Sequence, residues 1–147
     1  MKYHLAQLNI AEFIEDAEYP NNKEFIDNLD RVNALAESSD GFVWRLIRDG
    51  SSAIDIHPFD NPRIIVNMSV WVSKEHLQTF VYRNTRHLSF MKRRREWFNK
   101  IQSHLVLWWI SEGDIPTIED AKERLKHLKQ HGPSPYAFTF STSFPPP

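Results

Sequence analysis

The spacing of apolar residues along the chain predicts four β-strands. They cover Tyr3–Ile10, Phe42–Arg48, Arg63–Trp71 and His104–Ile110, where aliphatic, β-branched and aromatic residues predominate. In the third strand one alternating row is wholly apolar, and the other combines apolar and polar side chains. Because the strands are apolar on both sides, the pattern indicates a sheet that is covered on both faces.

Three further stretches carry apolar residues at the spacing of an α-helix. The first lies within residues 20–41 and the third within residues 117–132, and both end at glycine, as helices often do. The second begins after Ser73, a suitable N-cap, and is predicted to run toward Asn99. A break near residues 84–85 is the alternative for this helix.

The order of these elements predicts an α+β domain of the ferredoxin-like β-α-β-β-α-β type with an extra C-terminal helix. Residues 1–132 form this domain in the prediction, and the proline-rich residues 133–147 form an extended tail. The two helices between the strands would cover one face of the sheet. We expect a homodimer, because packing two sheets face to face is the simplest cover for the other face.

Composition narrows the class of protein further. The 147 residues include no cysteine and carry a net charge of −1, with 41% hydrophobic and 25% charged residues. This balance is typical of a soluble domain, disfavours nucleic-acid binding and excludes disulfides and thiol catalysis. No apolar run is long enough to span a membrane, and Met1–Ile10 does not resemble a secretory signal, so we expect a cytoplasmic protein that does not bind membranes.

Polar side chains interrupt the first and third strands at alternating positions. Gln7 and Asn9 share one face of the first strand, and Asn67, Ser69 and Trp71 share one face of the third. These strands are central neighbours in a ferredoxin-like sheet, so the polar groups would converge in a buried region. Since buried amides need partners, they either bond one another or line a pocket that holds a carbonyl or hydroxyl group of a ligand.

The second helix offers a histidine and an arginine on the same face as an aromatic residue. Phe80, His87 and Arg94 follow one another at seven-residue intervals, which places them along one stripe of a continuous helix. His87 could act as a general base, ligate haem iron or simply pack in the core. Arg94 could bind a carboxylate of a ligand or lie in a solvated basic face.

Aromatic residues are frequent, at 13% of the chain with five tryptophans. Trp97 is a candidate to line an apolar cavity, although packing in the core or in a dimer interface is the alternative. Trp108 and Trp109 are adjacent in a strand and must point to opposite faces. His127 and His131 have the spacing of a helical metal-binding pair, but no third ligand accompanies them.

Seven segments of the chain resemble the bacterial family known as domain of unknown function 3291. This family is similar to a branch of the dimeric α/β-barrel superfamily, which also contains antibiotic-biosynthesis monooxygenases and haem-degrading monooxygenases. The segments are Ala6–Ile10, Asn28–Glu37, Gly41–Leu46, Ile65–Trp71, Arg93–Phe98, His104–Trp109 and Pro116–Phe140.

The resemblance implies two alternatives for a cofactor. In the haem-degrading relatives an Asn on the first strand and an aromatic residue and a His on the second helix form the haem pocket, which corresponds to Asn9, Phe80 and His87 here. The aromatic residue of those relatives is a Trp, so Phe80 departs from their pattern. In cofactor-independent monooxygenases Asn and Trp side chains hold an aromatic substrate, and Asn67 and Trp71 are the matching residue types.

Taken together, the sequence predicts a small-molecule enzyme of monooxygenase-like type that acts on an apolar or aromatic substrate, with haem or no cofactor. The alternative is a non-catalytic carrier or sensor of a hydrophobic metabolite on the same fold. The predicted catalytic residues are His87, Asn9 and Trp71, with His87 also the metal ligand if haem is bound. The predicted substrate-binding residues are Gln7, Asn67, Ser69, Phe80, Arg94 and Trp97.

Overall fold

A computed structural model of the chain describes residues 2–15, 20, 23–46, 63–83, 97–99 and 104–147. Five strands and three helices lie within these ranges. The strands are β1 (Tyr3–Phe13), β2 (Phe42–Arg45), β3 (Ile64–Trp71), β4 (Phe98–Asn99) and β5 (Leu105–Ser111). The helices are α1 (Lys23–Glu37), α2 (Lys74–Arg83) and α3 (Ile118–His131).

The strands form one antiparallel sheet with β1 near its centre. β3 pairs along one edge of β1, and β2 extends the sheet beyond β3. β5 pairs with most of the opposite edge of β1, and the short β4 pairs with its end. This arrangement, with α1 and α2 as the connections, confirms the predicted ferredoxin-like α+β fold. No helix in the described ranges is both long and apolar enough to cross a lipid bilayer.

Phe98 and Asn99 differ from the prediction of one long helix that runs toward Asn99. Helix α2 covers Lys74–Arg83, and Phe98–Asn99 form a strand instead of the end of that helix. The side chain of Phe98 stacks on that of Phe13, with 5.1 Å between ring centroids, and the two residues pair across β4 and β1. The prediction was wrong here because helical spacing does not reveal this pairing with a distant strand.

The two faces of the sheet have different covers. The front face contains Leu5, Gln7, Asn9 and Ala11 of β1 together with their partners on β3 and β5. Its apolar positions pack against α1 and α2, as the sequence predicts for one face. The buried part of the rear face is formed by apolar side chains from the three long strands: Ala6, Leu8, Ile10, Val66, Met68, Val70, Val106 and Trp108.

Helix α3 covers the rear face within the same chain. Its buried residues Ala121, Leu125 and Leu128 pack on the sheet, and each of the eight side chains just named is at most 4% exposed. The sequence predicted a homodimer because no element of the chain was expected to cover this face. Since α3 covers it, that expectation was wrong. The homodimer itself stays a prediction.

We expect the packing of α3 on the rear face to stabilise the single chain and not to form an interface between subunits. Replacing Leu128 with alanine should lower the free energy of unfolding by about 2 kcal/mol because apolar contacts are lost. The change should leave the mass measured by sedimentation velocity unaltered, and urea denaturation gives the stability. Lys126→Ala, at an exposed position of α3, is the matched control. A dimer that dissociates into a stable monomer on losing the Leu128 side chain would contradict this expectation.

The last residues of the chain join the domain. Phe138 exchanges two main-chain hydrogen bonds with Leu107 of β5, at 2.8 and 2.9 Å, and so extends the sheet by one short bridge. Ala137 and Phe138 are fully buried. Further on, the carbonyl oxygen of Phe144 accepts a hydrogen bond from the indole of Trp109 at 2.8 Å. Residues 137–144 therefore cover the outer edge of β5, which would otherwise present free main-chain groups.

Arg124 of α3 binds the turn at Tyr136, just before residues 137–144. The Arg124 guanidinium donates to the carbonyl oxygen of Tyr136 at 2.7 Å and lies over the Tyr136 ring. Its Nε also pairs with Asp120 one turn earlier, at 2.9 Å. The pair of contacts ties the C-terminal turn to the helix that covers the rear face.

A glycine at the end of the α1–β2 turn allows a close contact with α2. Gly41 has a φ angle of +84°, and its Cα faces the side chain of His76. The His76 ring lies 2.6 Å from the Ser73 hydroxyl, which also accepts the main-chain N–H of His76 and caps the helix. The turn and the helix start therefore fix each other's position.

Candidate functional site

Four polar side chains form a hydrogen-bonded group at the centre of the front face. This amide band consists of Gln7, Asn9, Asn67 and Ser69, which face one another across β1 and β3. Gln7 Nε2 donates to Asn67 Oδ1 and to Ser69 Oγ, both at 2.7 Å. Asn9 Nδ2 donates to Gln7 Oε1 at 3.0 Å. The alternation in the sequence thus predicted which side chains meet.

Trp71 extends the amide band toward the end of β3. Its indole N–H donates to Ser69 Oγ at 2.9 Å, and its ring is buried. Gln7 and Ser69 are also buried, at 3% and 6% exposure. Buried polar groups are stable only when they are hydrogen-bonded, so these contacts explain how the sheet tolerates the band.

The band still has hydrogen-bonding capacity to offer a ligand. Ser69 Oγ accepts from both Gln7 and Trp71, which occupies its two lone pairs and leaves its own proton to be donated elsewhere. Among the described residues, Asn67 Nδ2 and Asn9 Oδ1 have no hydrogen-bond partner. Two donor groups, the Ser69 hydroxyl and the Asn67 NH₂, and one acceptor, Asn9 Oδ1, are therefore available near a buried indole.

Apolar side chains border the band on the side of α2. Trp71 stacks on Phe80 with 5.4 Å between ring centroids, and Phe42 meets the Trp71 ring edge-on at 5.5 Å. Phe138 from the C-terminal segment belongs to the same buried cluster. Phe80 therefore lies beside Trp71. This position is consistent with the prediction that both side chains contact the substrate.

Trp97 lies in a different cluster. It packs with Phe13, Phe25 and Ile65, and its ring centroid is 5.5 Å from that of Phe25. Ile65 pairs with Ala11, two positions along the strands from the Asn67–Asn9 pair, and is therefore the next residue of β3 on the same face. Trp97 is therefore on the opposite side of the amide band from Trp71 and Phe80.

His87 and Arg94 lie outside the described residues, so their predicted roles as base, haem ligand and anion-binding residue stay predictions. No three His, Asp or Glu side chains are grouped as metal ligands within the ranges that the structure describes. The rings of His127 and His131 lie 4.6 Å apart on α3, which is on the rear side of the sheet. They are remote from the amide band.

Two polar residues on the front side of the sheet were not among the predicted site residues. Arg45 of β2 pairs with Ser69 of β3, which places it on the front face. Asn33 of α1 is only 5% exposed and makes no side-chain hydrogen bond to another described residue. A signal for Asn33 was present in the sequence, because an amide at this position sits next to the apolar stripe of the first helix.

Solved structures share this fold at low sequence identity. SnoaB from Streptomyces nogalater, a cofactor-independent oxygenase, has a TM-score of 0.53 and 15% identity over 78% of this chain and 98% of that chain. A conserved protein from Methanosarcina mazei Go1 gives 0.52 and 10% over 74% and 91%. Rv0793 from Mycobacterium tuberculosis gives 0.52 and 10% over 78% and 99%. At these identities the likeness concerns the fold alone.

No curated protein sequence matches the chain. A family model, by contrast, matches it from residue 4 to residue 147, which includes the sheet, all described helices and the C-terminal segment. This match confirms the resemblance found in the sequence. The chain belongs to the family described as Domain of unknown function (DUF3291).

Proposed function

We propose that this protein is a small-molecule enzyme of monooxygenase-like type, with its site between the front face of the sheet and α2. The amide band carries the proposal, because Ser69 and Asn67 keep donor groups free next to the Trp71–Phe80 stack. Such a combination suits a flat apolar ligand with an oxygen substituent. A solved structure of the same fold, the SnoaB oxygenase, supports oxygen chemistry without a cofactor.

The proposed reaction converts a CH₂ group, activated by an aromatic carbonyl, into a new carbonyl group. Loss of a proton gives an electron-rich enolate that reduces O₂ directly. One oxygen atom forms the new C=O bond, and the other leaves as water with the two hydrogens of the CH₂ group. The hydroxyl of Ser69 and the amide N–H groups of Asn67 would donate to the enolate oxygen and stabilise its charge. His87 stays the predicted base.

Haem does not fit the described part of this site. A porphyrin held against Trp71 by α2 would need a slot between that ring and the helix. The Phe80 ring fills this position, since it stacks on Trp71 with an interplanar angle of 30°. We therefore derive no step that uses haem, and the cofactor-free alternative is the one we propose.

Removal of the Asn67 amide should slow the reaction. With anthrone, an enolisable aromatic ketone, as probe, we expect Asn67→Ala to lower kcat/KM for oxygen uptake by about tenfold to a hundredfold. This is the effect of losing one hydrogen bond to a charged group. An oxygen electrode measures uptake, and the rate of spontaneous anthrone oxidation is subtracted.

The matched control is Gln130→Ala, which removes an amide from an exposed position of α3 and should leave uptake unchanged. Circular dichroism shows whether each variant is folded. Equal rates for the wild type and Asn67→Ala would contradict the role of the amide band. Binding of anthrone without oxygen uptake would instead identify a non-catalytic carrier.

A further inference from the structure

We propose that Arg45 is the anion-binding residue of this site, so that the ligand carries a carboxylate or another anionic oxygen on an apolar or aromatic body. The inference rests on the proposed function, since it concerns the same site. It names the chemical class of the ligand and the residue that selects it.

The position of Arg45 in the sheet brings its positive charge to the amide band. Arg45, Ser69 and Gln7 are successive partners across β2, β3 and β1, and they share the front face. Paired residues on adjacent antiparallel strands have Cα atoms roughly 5 Å apart. The Cα atom of Arg45 is therefore one strand spacing from that of Ser69, and the long Arg45 side chain lies on the same face as the Ser69 hydroxyl.

The guanidinium group is mostly buried and only partly paired. The Arg45 side chain is 15% exposed, and its Nε donates to the carboxylate of Glu37 at the end of α1. Within the part of the chain that the structure describes, the two Nη atoms have no partner. A guanidinium group that is largely shielded from water and has free N–H donors favours an anionic acceptor, so an anionic oxygen of a ligand would be stabilising there.

Helix α1 adds a second unpartnered polar group to this corner of the site. Asn33 lies one turn before Glu37, so the two residues share a side of the helix. Asn33 is 95% buried, with 5% exposure, and its amide bonds to no other described side chain. Arg45 and Ser69 on paired strands and Asn33 on α1 are therefore polar donors on the same side of the sheet, and α1 also carries the Glu37 partner of Arg45.

The charge determines which ligand these donors favour. Glu37 is 43% exposed, so water screens its carboxylate more than it screens the Arg45 guanidinium. A planar guanidinium with free Nη atoms is suited to bind a carboxylate through two parallel hydrogen bonds. The hydroxyl and amide donors favour oxygen acceptors, whereas the nearby Trp71 and Phe80 rings favour an aromatic body.

Two probes of equal shape test the proposal: 2-naphthoate, which is anionic, and 2-naphthamide, which is neutral. We expect isothermal titration to show that the wild type binds the carboxylate about tenfold more tightly than the amide, the preference of a charge-assisted contact. Arg45→Gln should reduce this ratio to about 1. Arg45→Lys should retain part of the preference because it keeps the charge.

The matched control is Arg124→Gln. Arg124 also pairs with a carboxylate and is similarly buried, at 19% exposure, but it lies on α3 behind the sheet. This variant should therefore keep the preference for 2-naphthoate. A further variant, Glu37→Gln, frees Arg45 from its partner and should increase the preference. Thermal denaturation verifies that each variant is folded.

The outcomes separate the two proposals. An unchanged ratio in Arg45→Gln, or equal binding of both probes by the wild type, would overturn the role of Arg45 while leaving the site intact. In that case Asn67→Ala should still weaken both probes. If the wild type binds neither probe, the site between the front face and α2 is wrong, and the assignment of Arg45 is overturned with it.

Discussion

Replacing Phe138 with alanine is expected to lower the free energy of unfolding by about 3–5 kcal/mol. The Phe138 side chain is fully buried, and it packs against Trp109 and Phe144 with ring centroids 6.4 and 5.9 Å away. Its loss would leave a cavity between β5 and the C-terminal segment that the main-chain bonds to Leu107 keep from collapsing. Urea denaturation followed by tryptophan fluorescence measures the change.

Phe140 provides the matched control, because it is the same residue type two positions later. It is only half-buried, and its main aromatic contact is with the exposed Tyr82 at 5.7 Å. Phe140→Ala should therefore cost less than half as much as Phe138→Ala. Equal and small losses for both variants would mean that the C-terminal segment does not belong to the core.

Replacing Gly41 with alanine is expected to destabilise the protein by about 3 kcal/mol, from two separate causes. An L-residue at a φ angle of +84° pays about 1–2 kcal/mol for the left-handed backbone. In addition, the new Cβ would overlap the side chain of His76, and relieving such overpacking costs about 1–3 kcal/mol. Thermal and urea denaturation would both report the loss.

Gly113 separates the two causes. Its φ angle is +93°, but a Cβ at that position would have no atom within 4 Å. Gly113→Ala should therefore pay the backbone cost alone. A Cβ at position 41 would meet the Cβ of His76 at 2.5 Å as well as its ring, so only His76→Gly removes the overlap. Combining Gly41→Ala with His76→Gly should therefore recover part of the loss relative to His76→Gly by itself. If the double variant recovers nothing, the contact between Gly41 and His76 is not the cause.

The central elements of the fold could be predicted because their side chains record burial directly. Alternating apolar positions predicted the strands β1 and β3, which pair in the structure. The predicted third helix begins after Thr117, whose hydroxyl accepts the main-chain N–H of Asp120 at 3.2 Å and so caps α3. The stripe of Ala121 and Leu125 on α3 also predicted a buried side. The stripe did not reveal which surface α3 covers, because an apolar helix face can pack equally well on the sheet of its own chain or on that of another chain.

The residues of the candidate site on β1 and β3 could be predicted from the sequence, whereas Arg45 on the neighbouring strand β2 could not. Regular alternation from Phe42 would put Arg45 on the opposite side of β2. A shift in register between Phe42 and Trp44 brings both Phe42 and Arg45 to the front face. Such an irregularity depends on the pairing with β3 and has no signature in the residues themselves, so sequence reasoning assigned the anion-binding role to Arg94 instead.

The central position of β1 has a consequence for synthesis on the ribosome. Its two long partners, β3 and β5, come later in the chain, and Tyr3 pairs with Ser111. A nascent chain therefore presents the apolar residues of β1 long before both partners exist. Pairing over such separations slows folding, since the loop between the strands must close first. Until β5 emerges, one edge of β1 lacks its partner, and an unpaired apolar strand of this kind is prone to aggregation.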